Sequence, residues 1–392
     1  MAGDTRHRRS TPWVSAGSSK RCHPPGGGTA TARGRAAAAA SAATPAAAAI
    51  SVGAAIPAAA AIPAAAAIPA GAAGAEPPVV GERARPGSHS MTVDSLSSYD
   101  GEQSRKWGPP EQPLQRGEVL APGYHVVSHL RRGHRLDVYD VWSAERGCRC
   151  VAKTLRPERA HDDVAARMLR TEGMLLAALS HPHLVRGYET VLTMVRPRPA
   201  VVIETLPGHT VSYLVDQHGR LGPLDAAVLG MQLCSVLGYM HGHGWVHLDV
   251  KPGNVVEMGG RAVLLDLGVA RRVGECDTGG TFDYLSPEQA RGDAVTEAAD
   301  VWGLGVTLYE VLGGATPWAR VSHRERRSDG TRRYPQIEGT AEPLRTRRRL
   351  PTQLARTVDA CLEPDPGARP GVTEVSARLV EWSGVDPQTS GA

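Results

Sequence analysis

The residues best suited to chemistry lie in residues 247–254, which read His-Leu-Asp-Val-Lys-Pro-Gly-Asn. Asn254 is the only asparagine among 392 residues, and Lys251 is one of only four lysines in a chain otherwise rich in arginine. Residues that are kept against such a bias are expected to be kept for their chemistry. A carboxylate, an ammonium and an amide at this spacing suit phosphoryl transfer, which needs positioning and charge neutralisation more than covalent help.

A second carboxylate, Asp266, opens the tripeptide Asp-Leu-Gly after the apolar run 263–265. Its distance from Asn254 leaves room for one hairpin around Gly259 and Gly260, so both side chains are expected at one site. Alone, the tripeptide is a common turn sequence, and Asp249 and Asn254 could be a helix cap and a turn residue. The complete set, His-x-Asp-x-Lys-Pro-x-Asn followed by Asp-x-Gly, is far more specific.

This set resembles the catalytic loop and metal-binding motif of protein kinases. The resemblance implies that Asp249 accepts the proton of the acceptor hydroxyl and that Lys251 steadies the transferred phosphate. It further implies that Asn254 and Asp266 bind the Mg²⁺, or Mn²⁺, that accompanies ATP.

The resemblance continues downstream in the expected order. Residues 280–288 resemble the end of an activation segment, with Ser-Pro-Glu in place of Ala-Pro-Glu. Asp300 opens a segment similar to the helix that anchors the catalytic loop, and Arg369 is similar to the arginine that pairs with the Ala-Pro-Glu carboxylate. Glu288 and Arg369 are therefore expected to form a buried structural salt bridge. Thr281 is expected to bridge the catalytic Asp and Lys, which implies Ser or Thr acceptors.

The elements that must position these groups lie upstream. Short strands are predicted at 124–130, 138–142, 149–155 and 200–203. A helix is predicted over 163–180, with one apolar stripe at Val164, Met168, Leu175, Leu176 and Leu179. Glu172 falls on the same face, and a buried carboxylate needs a cationic partner. Lys153, on the preceding strand, is the candidate.

The resemblance implies ATP contacts from three strands, the loop between the first two, the helix and the segment after residue 203: Leu130, Gly133, Val138, Lys153, Glu172, Glu204 and Leu206. The phosphate-covering loop departs from Gly-x-Gly-x-x-Gly, because residues 131–136 keep only Gly133. The lost glycines hinder approach of backbone amides to phosphate. Three arginines at 131, 132 and 135 either contact phosphate through their side chains or are solvated charges at the strand tip.

A second departure is Leu248, where most regulated kinases carry the arginine that receives an activation-loop phosphate. Thr278 is the main modifiable hydroxyl of the segment, and Arg271 and Arg272 could in principle receive its phosphate. Activity independent of loop phosphorylation is therefore expected.

These features predict an α+β, bilobal protein-kinase fold, with a small β-rich N-lobe and a larger helical C-lobe over residues 118–384. Residues 1–117, rich in Ala, Pro and Gly, are expected to be a disordered extension, because repeated prolines interrupt any helix and the aliphatic content is too sparse for a core. Residues 385–392 form a short tail. The chain is most similar to bacterial (actinobacterial) serine/threonine protein kinases.

The charge distribution gives no case for nucleic acid, because residues 119–392 carry 32 basic and 32 acidic side chains. An exception is residues 319–349, with 10 arginines against 4 acids, which is either a solvated insert or a surface for an acidic partner. No segment is expected to span a membrane, and the location is expected to be cytoplasmic.

Three functions remain open at this point. The first is an active kinase acting on Ser or Thr of protein substrates. The second is a pseudokinase scaffold with weak nucleotide binding, supported only by the degraded glycine loop. The third is a small-molecule kinase of the antibiotic phosphotransferase kind, which Lys251, Thr281 and the pairing of Glu288 with Arg369 disfavour because these belong to peptide-binding machinery.

Overall fold

The computed structural model describes residues 109–319, 326 and 330–385. Residues 1–108 of the predicted extension and residues 386–392 of the predicted tail lie outside the described residues. Residues 109–117 were placed in the extension, yet they contact the sheet. The Leu114 amide donates to the Tyr139 hydroxyl at 3.1 Å, and the Glu111 carbonyl accepts from Arg132 Nη1 at 2.6 Å. The folded body therefore begins before residue 118.

The first lobe is built on a six-stranded antiparallel sheet in the order β1-β2-β3-β4-β6-β5. Its strands are β1 (Val119–Ala121), β2 (Tyr124–Arg132), β3 (Leu136–Ser143), β4 (Cys148–Leu155), β5 (Gly187–Leu192) and β6 (Pro199–Glu204). The four predicted strands are confirmed within two residues at each end. The edge strands β1 and β5 were not predicted, because one has three residues and the other has no fully buried side chain that would mark an alternating pattern.

Helix α1 (Asp163–Ala178) lies against this sheet, and its first turn is capped by the Asp162 carboxylate, which accepts from the Ala165 amide at 3.0 Å. The predicted stripe is wrong at its start. Val164 is 49% exposed, and Leu169 is buried instead. The stripe was placed one residue out of phase in the first turn, whereas Glu172 does lie on the buried face.

The two faces of the sheet belong to different apolar clusters. Tyr139, Ala152 and Val202 pack on the outer face, together with the segment before β1. Leu155 and Val201 lie on the inner face, in the large cluster that continues into the second lobe. Because successive side chains along a strand point to opposite faces of the sheet, neighbouring residues pack into different clusters.

The second lobe is mainly helical. It contains α2 (Val211–His218), α3 (Pro223–Gly242), α4 (Pro287–Arg291), α5 (Glu297–Gly313), α6 (Pro335–Glu338), α7 (Thr352–Cys361) and α8 (Val372–Ser383). It also contains the short strands β7 (His209–Thr210), β8 (Trp245–Val246), β9 (Val255–Met258), β10 (Arg261–Leu264) and β11 (Arg271–Arg272), which form a three-stranded sheet in the order β10-β9-β7 and a pair of β11 with β8. The predicted hairpin of β9 and β10 is present and turns at Gly259 and Gly260.

Among the described residues, α3 is long and apolar enough to cross a membrane by length and composition, contrary to the expectation that no segment would be. Its apolar side chains pack against α5 and α8 inside the lobe. A buried core helix meets the same criteria as a membrane span, because both are apolar on all sides.

Candidate active site

The backbone of His247 and Leu248 is held by one buried carboxylate, that of Asp300 in the first turn of α5. Its two oxygens accept from the amides of His247 and Leu248, each at 2.8 Å, and His241 Nε2 lies 2.8 Å from it. Burial alone would raise the pKa of Asp300, but the hydrogen bond and charge of His241 outweigh it and lower the pKa. These bonds fix Leu248 at φ +67°, a left-handed conformation that is uncommon for leucine.

Three other predicted residues converge on the Asp249 carboxylate. Oδ2 accepts from Lys251 Nζ at 2.6 Å and from Asn254 Nδ2 at 2.8 Å. Oδ1 accepts from the Thr281 amide at 2.9 Å, and the Thr281 hydroxyl is also bonded to Lys251. The end of the activation segment is thereby tied to the catalytic loop, and the Asp249 carboxylate is held in one orientation.

His247 connects this loop to the segment that carries Asp266. Its Nε2 donates to the Leu265 carbonyl at 3.0 Å, and its Nδ1 accepts from the Asp249 amide at 3.2 Å. These contacts require the neutral tautomer with the proton on Nε2. The Leu265 amide donates to the Asn254 carbonyl at 2.8 Å, and Asp266 itself has φ +69°. Asn254 and Asp266 are thus brought to one site, as the hairpin spacing predicted.

Lys153 supplies the partner that Glu172 required. Its Nζ lies 2.6 Å from Glu172 Oε1 and 3.6 Å from Asp266 Oδ1. Burial alone would lower the pKa of Lys153, but Asp266 and Glu172 outweigh it, so the pKa is raised and the side chain is an ammonium ion. The charge of Lys153 in turn lowers the pKa of Asp266. The pair joins β4 to α1 and directs the ammonium towards Asp266.

The residues at this site fit a magnesium ion. Asn254 uses its amide nitrogen on Asp249, which leaves its side-chain oxygen available, and the Asp266 side chain is 44% exposed. Mg²⁺ prefers oxygen ligands and is commonly held by one or two carboxylates plus phosphate oxygens. Within the described residues no group of three or more His, Cys, Asp or Glu could hold a metal by itself.

The remaining residues expected to contact ATP lie around Lys153. Val138 is directly opposite Lys153 across β3 and β4, and Leu130 is 53% exposed near the end of β2. Gly133 closes the turn between β2 and β3 through a 2.8 Å bond from its amide to the Leu136 carbonyl.

Glu204 ends β6, the strand paired with β4. Its Oε1 accepts from the Arg186 amide at 2.8 Å, so its carboxylate is used to fix the chain after α1. Leu206 follows two residues later and packs half-buried against the large cluster. The Glu204 side chain is therefore engaged with the chain before β5.

The activation segment is held by contacts that sequence reasoning did not identify. Arg271 forms an ion pair with Asp277, whose Oδ1 also accepts from the Gly279 amide at 2.7 Å. Gln289 Nε2 donates to the carbonyls of Gly279 at 3.0 Å and Leu248 at 3.1 Å. Asp277 had no recognisable motif, while the Ser-Pro-Glu-Gln sequence does carry the Ser-x-x-Gln pattern of a capping box, which is present.

The two arginines considered as phosphate receivers are both engaged. Arg271 is paired with Asp277, and Arg272 stacks on Trp245 with its guanidinium carbon 4.2 Å from the ring centroid. Thr278 is exposed, and Leu248 is buried where a receiving arginine would stand.

Glu288 and Arg369 form the expected salt bridge, with two parallel contacts of 2.6 and 2.8 Å. Arg369 also donates to the carbonyls of Ala298 at 2.8 Å and Glu363 at 2.7 Å. Its guanidinium carbon lies 4.9 Å from the centroid of a Trp302 ring. Both side chains are buried, so the pair joins α4 to the chain before α8 and takes no part in the site itself.

In the Arg-rich segment, residues 320–325 and 327–329 lie outside the described part. Arg348 donates to the carbonyls of Leu221 at 2.7 Å and Leu312 at 3.3 Å, and Arg347 lies 3.3 Å from the Tyr309 hydroxyl. These two arginines bind the end of the segment to the second lobe, and an acidic partner for the remaining arginines stays a prediction.

The fold and site define a protein kinase domain. The family model described as protein kinase domain matches residues 124–379, and the chain belongs to this family. It is 36% identical over 212 residues to the serine/threonine-protein kinase PknB of Mycobacterium leprae, and 37% identical over 215 residues to that of Mycolicibacterium smegmatis. A probable serine/threonine-protein kinase PknB of Lactococcus lactis is 32% identical over 213 residues.

Each of these matches covers 52% of this chain. The chain spans about a third of the length of these relatives, because the matches cover 32 to 34% of them. The predicted fold class and family are confirmed.

Proposed function

We propose that this chain is a serine/threonine protein kinase that transfers the γ-phosphate of ATP to Ser or Thr hydroxyls of protein substrates. The observation that carries the proposal is the set of contacts around Asp249. One carboxylate is oriented by Lys251, Asn254 and Thr281, which come from two distant segments. The names of the relatives agree with this activity.

In the proposed reaction the acceptor hydroxyl approaches Asp249, which orients it and takes its proton as the hydroxyl oxygen bonds to the γ-phosphorus of ATP. The bond from that phosphorus to the bridging oxygen of ADP breaks in the same step, and ADP leaves with the electron pair of that bond. Lys251, already within reach of Asp249, offsets negative charge on the transferred group. Lys153 binds the phosphates on the side of Asp266. Asn254 and Asp266 would hold the Mg²⁺ that accompanies ATP, and the ion would supply positive charge beside the phosphate oxygens.

The substrate class follows from Thr281. Its hydroxyl and amide bind Lys251 and Asp249, so the backbone of the activation segment lies directly beside the catalytic carboxylate. This close approach favours a short Ser or Thr acceptor over a longer Tyr. The proposal further includes protein substrates and a cytoplasmic location, where ATP is available.

Because the glycine loop departs from the Gly-x-Gly-x-x-Gly pattern, a pseudokinase remains the competing function. One experiment distinguishes an active kinase from a pseudokinase. Thermal melting of the purified chain with and without ATP and Mg²⁺ measures nucleotide binding, and transfer of labelled γ-phosphate to a mixed protein substrate measures chemistry. A kinase gives both stabilisation and labelled phosphoserine or phosphothreonine. Stabilisation without transfer would indicate a scaffold, and labelled small molecules without labelled protein would indicate a small-molecule kinase.

A further inference from the structure

The three arginines of the degraded glycine loop differ in what they contact. Arg132 forms two bonds of 2.8 Å to the buried Asp137 carboxylate and a third to the Glu111 carbonyl. Asp137 also accepts from His129 Nε2 at 3.1 Å. Arg132 is therefore committed to the outer face of the sheet, where the segment before β1 packs, and it does not serve the site.

Arg135 contacts helix α1 instead. Its Nη1 lies 3.4 Å from Met168 Sδ, so the side chain leans onto α1. The sulfur is a weak acceptor, so this contact is mainly packing. The sequence left the roles of all three arginines open, and the structure distinguishes them by their contacts.

Arg131 faces the site. The strand register places it opposite Val138, and Val138 is opposite Lys153. Residues directly opposite each other in antiparallel strands share a face, so these three side chains lie on the same side of the sheet. Arg132 and Tyr139 lie on the other side. Arg131 is exposed, and within the described part of the chain its side chain has no hydrogen-bond or ion-pair partner.

The carboxylates around Lys153 outnumber its single positive charge, so a second cationic side chain could contribute to phosphate binding. Lys153 is close to two carboxylates, those of Glu172 and Asp266, so this group of three carries more negative than positive charge. ATP brings several further negative charges. In addition, the glycines that would let backbone amides approach the phosphates are replaced at positions 131 and 136.

We propose that Arg131 binds the phosphate groups of the nucleotide with its guanidinium and thereby replaces the missing glycine contacts. The guanidinium is planar, permanently charged and carries five donors, which suits bidentate binding of phosphate oxygens. The proposal rests on the proposed function, since it names a further ligand of the same nucleotide. It predicts that nucleotide affinity depends on the charge at residue 131 and on the number of phosphates.

The test measures binding without requiring phosphoryl transfer. Dissociation constants of ATP and adenosine are measured by calorimetry for the wild type, Arg131→Gln and Arg131→Lys. Arg167→Gln is the matched control, because Arg167 is an exposed arginine on α1. We expect Arg131→Gln to weaken ATP binding by roughly tenfold, the size of one charge-assisted contact, and to leave adenosine binding unchanged. The ATP affinity of Arg131→Lys should lie between those of the wild type and Arg131→Gln, and that of Arg167→Gln should match the wild type.

Three results would overturn the proposal. Equal ATP affinity of Arg131→Gln and the wild type would show that the guanidinium makes no phosphate contact. An equal loss of ATP and adenosine affinity would show that Arg131 supports the loop structurally. Tighter ATP binding by Arg131→Gln would show that the side chain obstructs the site. If the wild type binds ATP but transfers no phosphate, the proposed kinase activity is wrong. The role of Arg131 is then still decided by the dissociation constants of the Arg131 variants.

Discussion

Removing the guanidinium of Arg369 tests how the active-site scaffold is held together. Arg369→Ala leaves Glu288 buried without its partner and removes donors from the carbonyls of Ala298 and Glu363. Breaking a buried pair in this way typically costs about 3–5 kcal/mol. For a domain of this size each kcal/mol lowers Tm by about 2–4 °C, so we expect a fall on the order of 10 °C.

The exposed pair between Arg378 and Glu374 provides the control. It spans one turn of α8 with a 2.5 Å contact, and its side chains are 38% and 55% exposed. Pairs of this kind contribute about 0–1 kcal/mol, so Arg378→Ala should lower Tm by no more than about 4 °C. Melting is followed by circular dichroism at matched protein concentration and pH.

A double variant identifies the cause of the loss. Adding Glu288→Gln to Arg369→Ala removes the uncompensated charge, so the double variant should be more stable than Arg369→Ala alone. If Arg369→Ala and Arg378→Ala melt at the same temperature, the pair is not the structural connection described above. A double variant that is less stable than Arg369→Ala would show that the loss does not arise from a buried unpaired carboxylate.

Two further predictions concern nucleotide binding and regulation. Lys153→Met should raise the KM for ATP by at least about tenfold, and Glu172→Gln should raise it less, because the lysine keeps its charge and loses only an orienting partner. Negligible effects of both would mean that the pair is not formed in the active state. Thr278→Ala should keep most of the wild-type rate, whereas Asp277→Asn should lower it several-fold by weakening the contact with Arg271. Loss of activity on phosphatase treatment, reproduced by Thr278→Ala, would contradict this account.

The convergence of the catalytic groups was predictable because it depends on local spacing. Asp249 and Asn254 are five residues apart, and only one hairpin separates Asn254 from Asp266, so few arrangements are open to the chain. The partner of Glu172 was predictable for an energetic reason. A carboxylate on an apolar face is too costly to leave unpaired, and only one lysine was close in sequence.

What could not be predicted depends on contacts between distant segments or on the face of a strand. Nothing local distinguishes Arg131 from Arg132, and only the strand register assigns them to opposite faces. The bond between Gln289 and the Leu248 carbonyl joins residues 41 positions apart. Residues 109–117 looked like part of the extension because their composition is polar and proline-rich, although Leu114 packs against the sheet.

The most direct test of the proposed activity compares the wild type with Asp249→Asn under identical conditions. Each is incubated with ATP, Mg²⁺ and labelled γ-phosphate, and labelled phosphoserine and phosphothreonine are quantified, while ATP binding is measured separately by thermal shift. The proposed function predicts transfer by the wild type, loss of at least about a thousandfold in Asp249→Asn, and unchanged ATP binding by the variant. Transfer by Asp249→Asn at a rate close to that of the wild type would contradict it.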